Sequence, residues 1–309
     1  MVHILFSSNA PRWAEYRQSL IEALAAYELD FTVHLEIDPA QVDYIIYDPA
    51  GGIIDFSPYV KCQAVLCLWA GVDSIVGNST LHAPLTRMVD AGLTQGMVEW
   101  VVGHSLRHQL RMDCDILRQD GAWVHRVTPL AAERPVTILG MGTSGYACAT
   151  ALSGLGFAVT GWSRTLKRDR SMRLLHGEDG LNTALRQAQI VILLLSATPF
   201  TRRLINASRL AYLPQGAVLL SAGRGELIDD IALIASLNSG HLCHATLDVF
   251  ASEPLPSTHP FWAHPRVTVT PHIASTTRPS TAARVLAENI WRHTIRQPLL
   301  HLVDRNNGY

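Results

Sequence analysis

The sequence has no CxxC pair, no block of like charge, no low-complexity tract and no apolar run long enough to span a bilayer. Its five cysteines, Cys62, Cys67, Cys114, Cys148 and Cys243, are an odd number lying in apolar strand-like or helix-like runs. Unpaired, buried thiols in a reducing cytosol are the expectation. Lysine and arginine total 25 against 26 aspartates and glutamates, so a net charge of −1 gives no field to recruit nucleic acid or an anionic membrane. The opening MVHILFSSNAPRW lacks a basic leader and a small-residue cleavage site. A cytoplasmic protein without nucleic-acid or membrane partners is expected. With 48% hydrophobic and 17% charged residues the chain is not disordered. The most informative absence is local: from Gly140 to Arg168 there is no Asp or Glu, and the first acid is Asp169.

What is present alternates. VHILFSS, FTVHLEI, VDYIIYDP and AVLCLWA read as strands, and WAEYRQSLIEALAAY between the first two as an amphipathic helix. A second series follows VTPLAAERP, with strands VTILG, FAVTGW, QIVILLL, GAVLLSA, HATLDV and RVTVTP and helices LNTALRQA and DDIALIASLNS. Residues 96–120 read as one long helix, and RPSTAARVLAENIWRHTIRQ as another. Short Val/Ile-rich runs separated by helices imply parallel sheets covered on both faces. With 309 residues, the expected fold class is α/β with two doubly wound parallel-sheet domains, the glycine-rich turn opening the second.

Gly140-Met-Gly142-Thr143-Ser144-Gly145 lies between an apolar run and a helical one. In that context Gly140 permits a tight turn, Gly142 lets backbone approach a pyrophosphate, and Gly145 allows close helix–strand packing. Helix N-terminal N–H groups, those of Thr143 and Ser144 among them, favour an anion there. At the end of the second strand an NAD site has an acid for the ribose hydroxyls. This sequence instead has Ser163, Arg164, Thr165, Lys167 and Arg168. A carboxylate would repel a 2′-phosphate, whereas Arg164 can take one by charge-assisted bonds, with Ser163 and Thr165 adding hydroxyls. NADP, with NADPH preferred over NADH, is the expected cofactor. Lys167 and Arg168 either join the phosphate site or face solvent.

Three downstream stretches carry candidate chemistry. Arg224, in SAGRGELIDD, follows a buried strand and so faces the crevice at a sheet's carboxyl edge. It can clamp an oxoacid carboxylate and polarise the adjacent carbonyl. Glu253, in LDVFASEPLP, is extended by the proline after it. His272, in TPHIASTTRP, ends a strand. A carboxylate beside a histidine holds one tautomer and favours the protonated ring, as a general acid requires.

Together GMGTSG, SAGRGELID, LDVFASEPLP and TPHIA resemble the D-isomer-specific 2-hydroxyacid dehydrogenase family over nearly the whole chain. WSRTLK, AGVDSI at 70–75 and the C-terminal GY are most similar to its glyoxylate/hydroxypyruvate reductase branch. The resemblance implies a flavodoxin-like substrate domain (1–95 plus 277–309), a Rossmann cofactor domain (96–276) and a cleft between them. It implies Arg224, Glu253 and His272 as the catalytic trio. The backbone of Ala70, Gly71 and Val72 receives the substrate carboxylate, Asp248 lies near the nicotinamide carboxamide, and Thr198, Pro199 and Ala222 lie along the cofactor. The implied reaction reduces a small 2-oxoacid with hydride from NADPH and a proton from His272. The long helix at 96–120 would serve a homodimer. Two departures are visible: Ser221 stands where the family more often has Asn, and Trp69 where related reductases often have a small residue.

His104 and His108, four apart, and His241 and His244 near Cys243 lack the further ligands of a zinc site, so no metal is expected. Two alternatives stay open: a reductase for bulkier 2-oxoacids, with Trp69 as the first residue to test, and a dinucleotide-sensing scaffold on the same fold.

Overall fold

The computed structural model describes residues 1–169 and 171–308; Tyr309, of the C-terminal Gly-Tyr, lies outside the described residues. The chain divides into two compact units, Met1–Leu93 with Thr276–Tyr309, and Thr94–Ser275.

In the first unit β1 (Val2–Ser7) is followed by α1 (Ala10–Ala25), β2 (Phe31–His34), β3 (Tyr44–Tyr47), β4 (Ala64–Cys67) and the short β5 (Leu85–Thr86). Every strand pairing is parallel, in the order β2-β1-β3-β4-β5, which is flavodoxin-like. YIIY and AVLC are wholly buried because both faces of the sheet are covered. Leu20 and Leu24 of α1 share one core with Ala283, Leu286 and Ile290 of the C-terminal helix, so that remote segment completes this unit.

The second unit takes up the chain along α2 (Ala91–Gln109) and α3 (Met112–Ile116). There follow β6 (Val136–Leu139), α4 (Thr143–Gly154), β7 (Val159–Ser163), β8 (Arg173–His176), α5 (Gly177–Gln187) and β9 (Ile190–Leu193). Then come α6 (Ala207–Leu210), β10 (Ala217–Ser221), α7 (Asp230–Asn238), β11 (Leu242–Leu247) and β12 (Val267–Val269). The last helix, α8 (Pro279–Thr294), belongs to the first unit. The seven strands are all parallel in the order β12-β11-β10-β9-β6-β7-β8. The chain runs outward from β6 through β7 to β8, then returns to place β9 on the other side of β6. This is the Rossmann order with one strand added. VTIL, IVIL and AVLLS are fully buried, at about 1.5–3 kcal/mol per apolar side chain.

Two expectations are corrected. The helix expected over 96–120 stops at Gln109, and Arg111 adopts a left-handed φ of 55° before the single turn of α3. Residues 111–116 are almost all exposed, so beyond Gln109 the chain has little to bury and helix resumes for only that one turn. All five cysteines are unpaired, but Cys114 and Cys243 are exposed rather than buried. Among the described residues no helix is long and apolar enough to cross a membrane.

Candidate active site

Because every strand of the seven-stranded sheet is parallel, all the loops leaving strand C-termini gather on one edge. That edge carries the glycine-rich turn after β6, Arg164 after β7, Thr198 and Pro199 after β9, Ala222 and Arg224 after β10, and Asp248 after β11. Glu253 follows Asp248 in the same connection, and His272 follows β12. The reversal of strand order between β7 and β9 falls at the glycine-rich turn, where such sheets bind ligands.

The turn has the form its sequence requires. Gly140 has φ +113°, and a β-carbon on Gly145 would fall 1.8 Å from the Gly140 carbonyl oxygen. A β-carbon on Gly142 would meet nothing within 4 Å, so the backbone faces open space at the N-terminus of α4. Among the described residues no side chain caps that helix, and its first turn has no acid; the intrahelical ladder begins with Tyr146 N–H to the Gly142 carbonyl. The preceding N–H groups therefore present a positive end to an anion.

At the end of β7, Ser163 is buried and its hydroxyl donates to the Thr165 carbonyl at 2.8 Å, shaping the loop from within. Arg164 is half-buried, while Thr165, Lys167 and Arg168 are exposed. The Lys167 ammonium donates to the Met141 carbonyl at 2.5 Å, so this side chain turns back onto the glycine-rich turn. Asp169, the nearest acid, is occupied locally, accepting from the Ser171 N–H and hydroxyl. No carboxylate lies in 163–168 for ribose hydroxyls, and the basic groups present suit a phosphate dianion.

Arg224 is held where backbones close on it from both sides. A β-carbon on Gly223 would meet the Leu195 oxygen at 2.5 Å, and one on Gly225 the Phe250 carbonyl carbon at 1.9 Å. The Arg224 guanidinium donates to the Gly223 carbonyl at 2.7 Å. Just before it, the Ser221 hydroxyl is fully buried with no hydrogen-bond partner among the described residues, as befits a position where a longer amide would reach further.

His272 and Glu253 form a direct pair: His272 Nδ1 lies 2.6 Å from Glu253 Oε2. Glu253 Oε1 accepts the Phe250 N–H at 2.8 Å, so both carboxylate oxygens are fixed. His272 has a φ of 54°, left-handed and unfavourable for a residue with a β-carbon. Asp248, 1% exposed, holds it there. Its Oδ1 accepts from the Thr270 hydroxyl and the Ile273 N–H, its Oδ2 from the Ala274 N–H, and its carbonyl from the His272 N–H. Sequence motifs located Asp248 but not this bracing of the His272 loop.

In the first unit, Trp69 through Val72 follow β4. Val72 is buried in the core, and its carbonyl accepts from the Ile75 and Val76 N–H groups. Ala70 is exposed; Trp69 is 44% exposed and so is not buried beneath the loop.

Phe200 escaped sequence reasoning. Its ring lies under Arg164, whose Cζ is 5.1 Å from the ring centroid. The available signal was an aromatic residue after Thr-Pro at a strand end. His108 and His244, expected not to bind metal, pack 5.0 Å apart, each bonded to a threonine, Thr246 and Thr268.

A doubly wound sheet with this turn at its switch point defines a dinucleotide-binding α/β protein. The model of the D-isomer specific 2-hydroxyacid dehydrogenase NAD binding domain matches residues 103–274. Glyoxylate/hydroxypyruvate reductase A of Yersinia enterocolitica is 36% identical over 281 residues, covering 88% of this chain and 89% of that protein. A crystal structure of a D-isomer specific 2-hydroxyacid dehydrogenase from Xanthobacter autotrophicus Py2, in complex with NADPH and MES, superposes with a TM-score of 0.91. It is 38% identical and covers 100% of this chain and 99% of that one. The NADPH-dependent glyoxylate/hydroxypyruvate reductase of Sinorhizobium meliloti, in complex with NADP and sulfate, gives a TM-score of 0.87 at 31% identity, covering 100% and 99%. The chain belongs to the D-isomer specific 2-hydroxyacid dehydrogenase family, in its glyoxylate/hydroxypyruvate reductase branch.

Proposed function

We propose that this NADP-dependent 2-hydroxyacid dehydrogenase reduces small 2-oxoacids of the glyoxylate and hydroxypyruvate type to D-2-hydroxyacids, with NADPH preferred over NADH. The observation that carries the reading is the His272–Glu253 pair on the sheet edge that also bears Arg224 and the glycine-rich turn. The names of the Yersinia and Sinorhizobium relatives support the substrate class, and the Xanthobacter and Sinorhizobium complexes the cofactor.

Gly140, Gly142, Thr143, Ser144 and Gly145 would hold the pyrophosphate; Arg164, Thr165 and Lys167 the 2′-phosphate; Thr198, Pro199 and Ala222 the length of the dinucleotide. Bound NADPH supplies the hydride. His272 gives a proton to the carbonyl oxygen from Nε2, since Nδ1 is committed to Glu253. Glu253 fixes the ring's tautomer and orientation. Arg224 clamps the carboxylate and polarises the carbonyl, stabilising negative charge that grows on oxygen. The N–H groups of Ala70, Gly71 and Val72 would bind a substrate carboxylate, and the half-exposed indole of Trp69 beside them would limit the acid's size. On this reading residues 1–95 with 277–309 form the substrate domain and 96–276 the cofactor domain. A homodimer is supported by the exposed apolar side chains that follow α3, where Leu117, Trp123 and Val127 are 84%, 95% and 87% exposed.

Initial rates with NADPH across glyoxylate, hydroxypyruvate, pyruvate and phenylpyruvate test the substrate class. The expected kcat/KM order puts glyoxylate and hydroxypyruvate first; a preference for phenylpyruvate, or no NADPH consumption with any of them, contradicts it.

A further inference from the structure

Phe200 is 71% exposed yet sits on a tightly tied turn. Thr198 and Thr201, 7% and 9% exposed, build it. The Thr201 hydroxyl donates to the Ser196 carbonyl at 2.7 Å and accepts the Thr198 N–H at 2.8 Å, and the Thr201 N–H donates to the Thr198 carbonyl at 3.0 Å. Backbone ties, rather than burial of the ring, fix where Phe200 stands. What the ring touches is Arg164, with Cζ 5.1 Å from its centroid, inside cation–π range. Arg164 follows β7 and Phe200 follows β9, and these strands flank β6. The contact therefore joins the two loops on either side of the glycine-rich turn.

We infer that Phe200 is a positioning residue for cofactor selection, its ring face holding the Arg164 guanidinium where it takes the 2′-phosphate. An aromatic face attracts a guanidinium through the ring quadrupole and leaves the N–H edge directed outward for in-plane bonds to phosphate oxygens. A cation held in place before the ligand arrives loses less side-chain freedom on binding. The inference rests on Arg164 being the phosphate ligand, so its test separates the two ideas.

Calorimetry of the full chain with NADP+, NAD+ and adenosine 2′,5′-bisphosphate reads binding without turnover. Phe200→Ala is expected to weaken NADP+ and the bisphosphate about three- to fivefold and leave NAD+ unmoved, with Phe200→Trp restoring the affinity. In an Arg164→Ala background, Phe200→Ala is expected to add nothing further. Equal losses for NAD+ and NADP+, or additive effects in the double variant, overturn the inference by making the ring a direct nucleotide contact. Unchanged affinity in Phe200→Ala, beside a clear loss in Arg164→Ala, overturns the inference alone. No loss of bisphosphate affinity in Arg164→Ala overturns the phosphate reading and the inference with it.

Discussion

His272 combines a reactive ring with a backbone that resists its own conformation. Its left-handed φ carries a cost of about 1 kcal/mol or more, offset by the buried carboxylate of Asp248, which collects bonds from residues 270, 273 and 274. Glu253 then orients the ring from the opposite partner, through Nδ1. Two substitutions separate these roles. His272→Ala removes the acid alone: kcat is expected to fall about 10²- to 10⁴-fold with NADPH affinity and melting temperature nearly unchanged, by initial rates and calorimetry. Asp248→Ala takes the acceptor from the buried Ala274 N–H, the Ile273 N–H and the Thr270 hydroxyl: stability is expected to drop by about 3 kcal/mol in urea unfolding, with kcat falling too. A His272→Ala enzyme that turns over normally, or an Asp248→Ala protein as stable as wild type, contradicts the respective role. The motifs made His272, Glu253 and Arg224 legible because each lies in a loop after a strand of the sheet and beside Gly or Pro. The second duty of Asp248 was not legible, because it depends on a loop more than twenty residues away.

Among the elements, α2 meets the sheet through an apolar face centred on Val101 and, at its C-terminal end, through a polar contact. His108 on α2 bonds Thr246 on β11, His244 on β11 bonds Thr268 on β12, and Arg107 donates to Thr268 while pairing with Asp113 at 2.8 Å. Burial first, then the charges of His244 and Arg107, pushes His108 from 6.5 down to about 3. Burial first, then Arg107, pushes His244 to about 4, with Asp113 opposing and His264 and His104 adding to the shift. Below the unfolded value of 6.5 the unfolded chain binds protons that the folded one refuses. These groups' stabilisation is therefore complete above that pH and is lost as pH falls toward 4, at about 1.4 kcal/mol per pH unit per proton. Melting from pH 7.5 to 4.5 is expected to show this decline, and His244→Asn to flatten it; equal slopes in both proteins contradict the account. Most strands were legible as short Val/Ile runs. β8 was missed because RLLH is exposed at both ends, and β5 because it is two residues long. The helix end at Gln109 was missed because apolar spacing alone does not register the left-handed turn at Arg111.

For the whole molecule, two topologies follow from where the apolar runs fall, and the chain's last helix returns to the first unit's core. The exposed apolar residues after α3 carry the homodimer proposal. Light scattering behind size exclusion is expected to give the mass of two chains for the wild type and of one chain for Leu117→Glu/Trp123→Glu; a one-chain wild type contradicts it. The cofactor proposal began from the missing acid between Gly140 and Arg168, and contacts far apart in sequence, Lys167 to Met141 and Arg164 to Phe200, now give that gap a physical form. The most direct measurement of it is kcat/KM for NADPH divided by kcat/KM for NADH, with glyoxylate saturating, in the wild type and in Arg164→Asp. The account predicts a wild-type ratio well above one that falls at least about tenfold in the variant, through loss of NADPH efficiency. A wild-type ratio near or below one, or equal losses with both nucleotides, would contradict it.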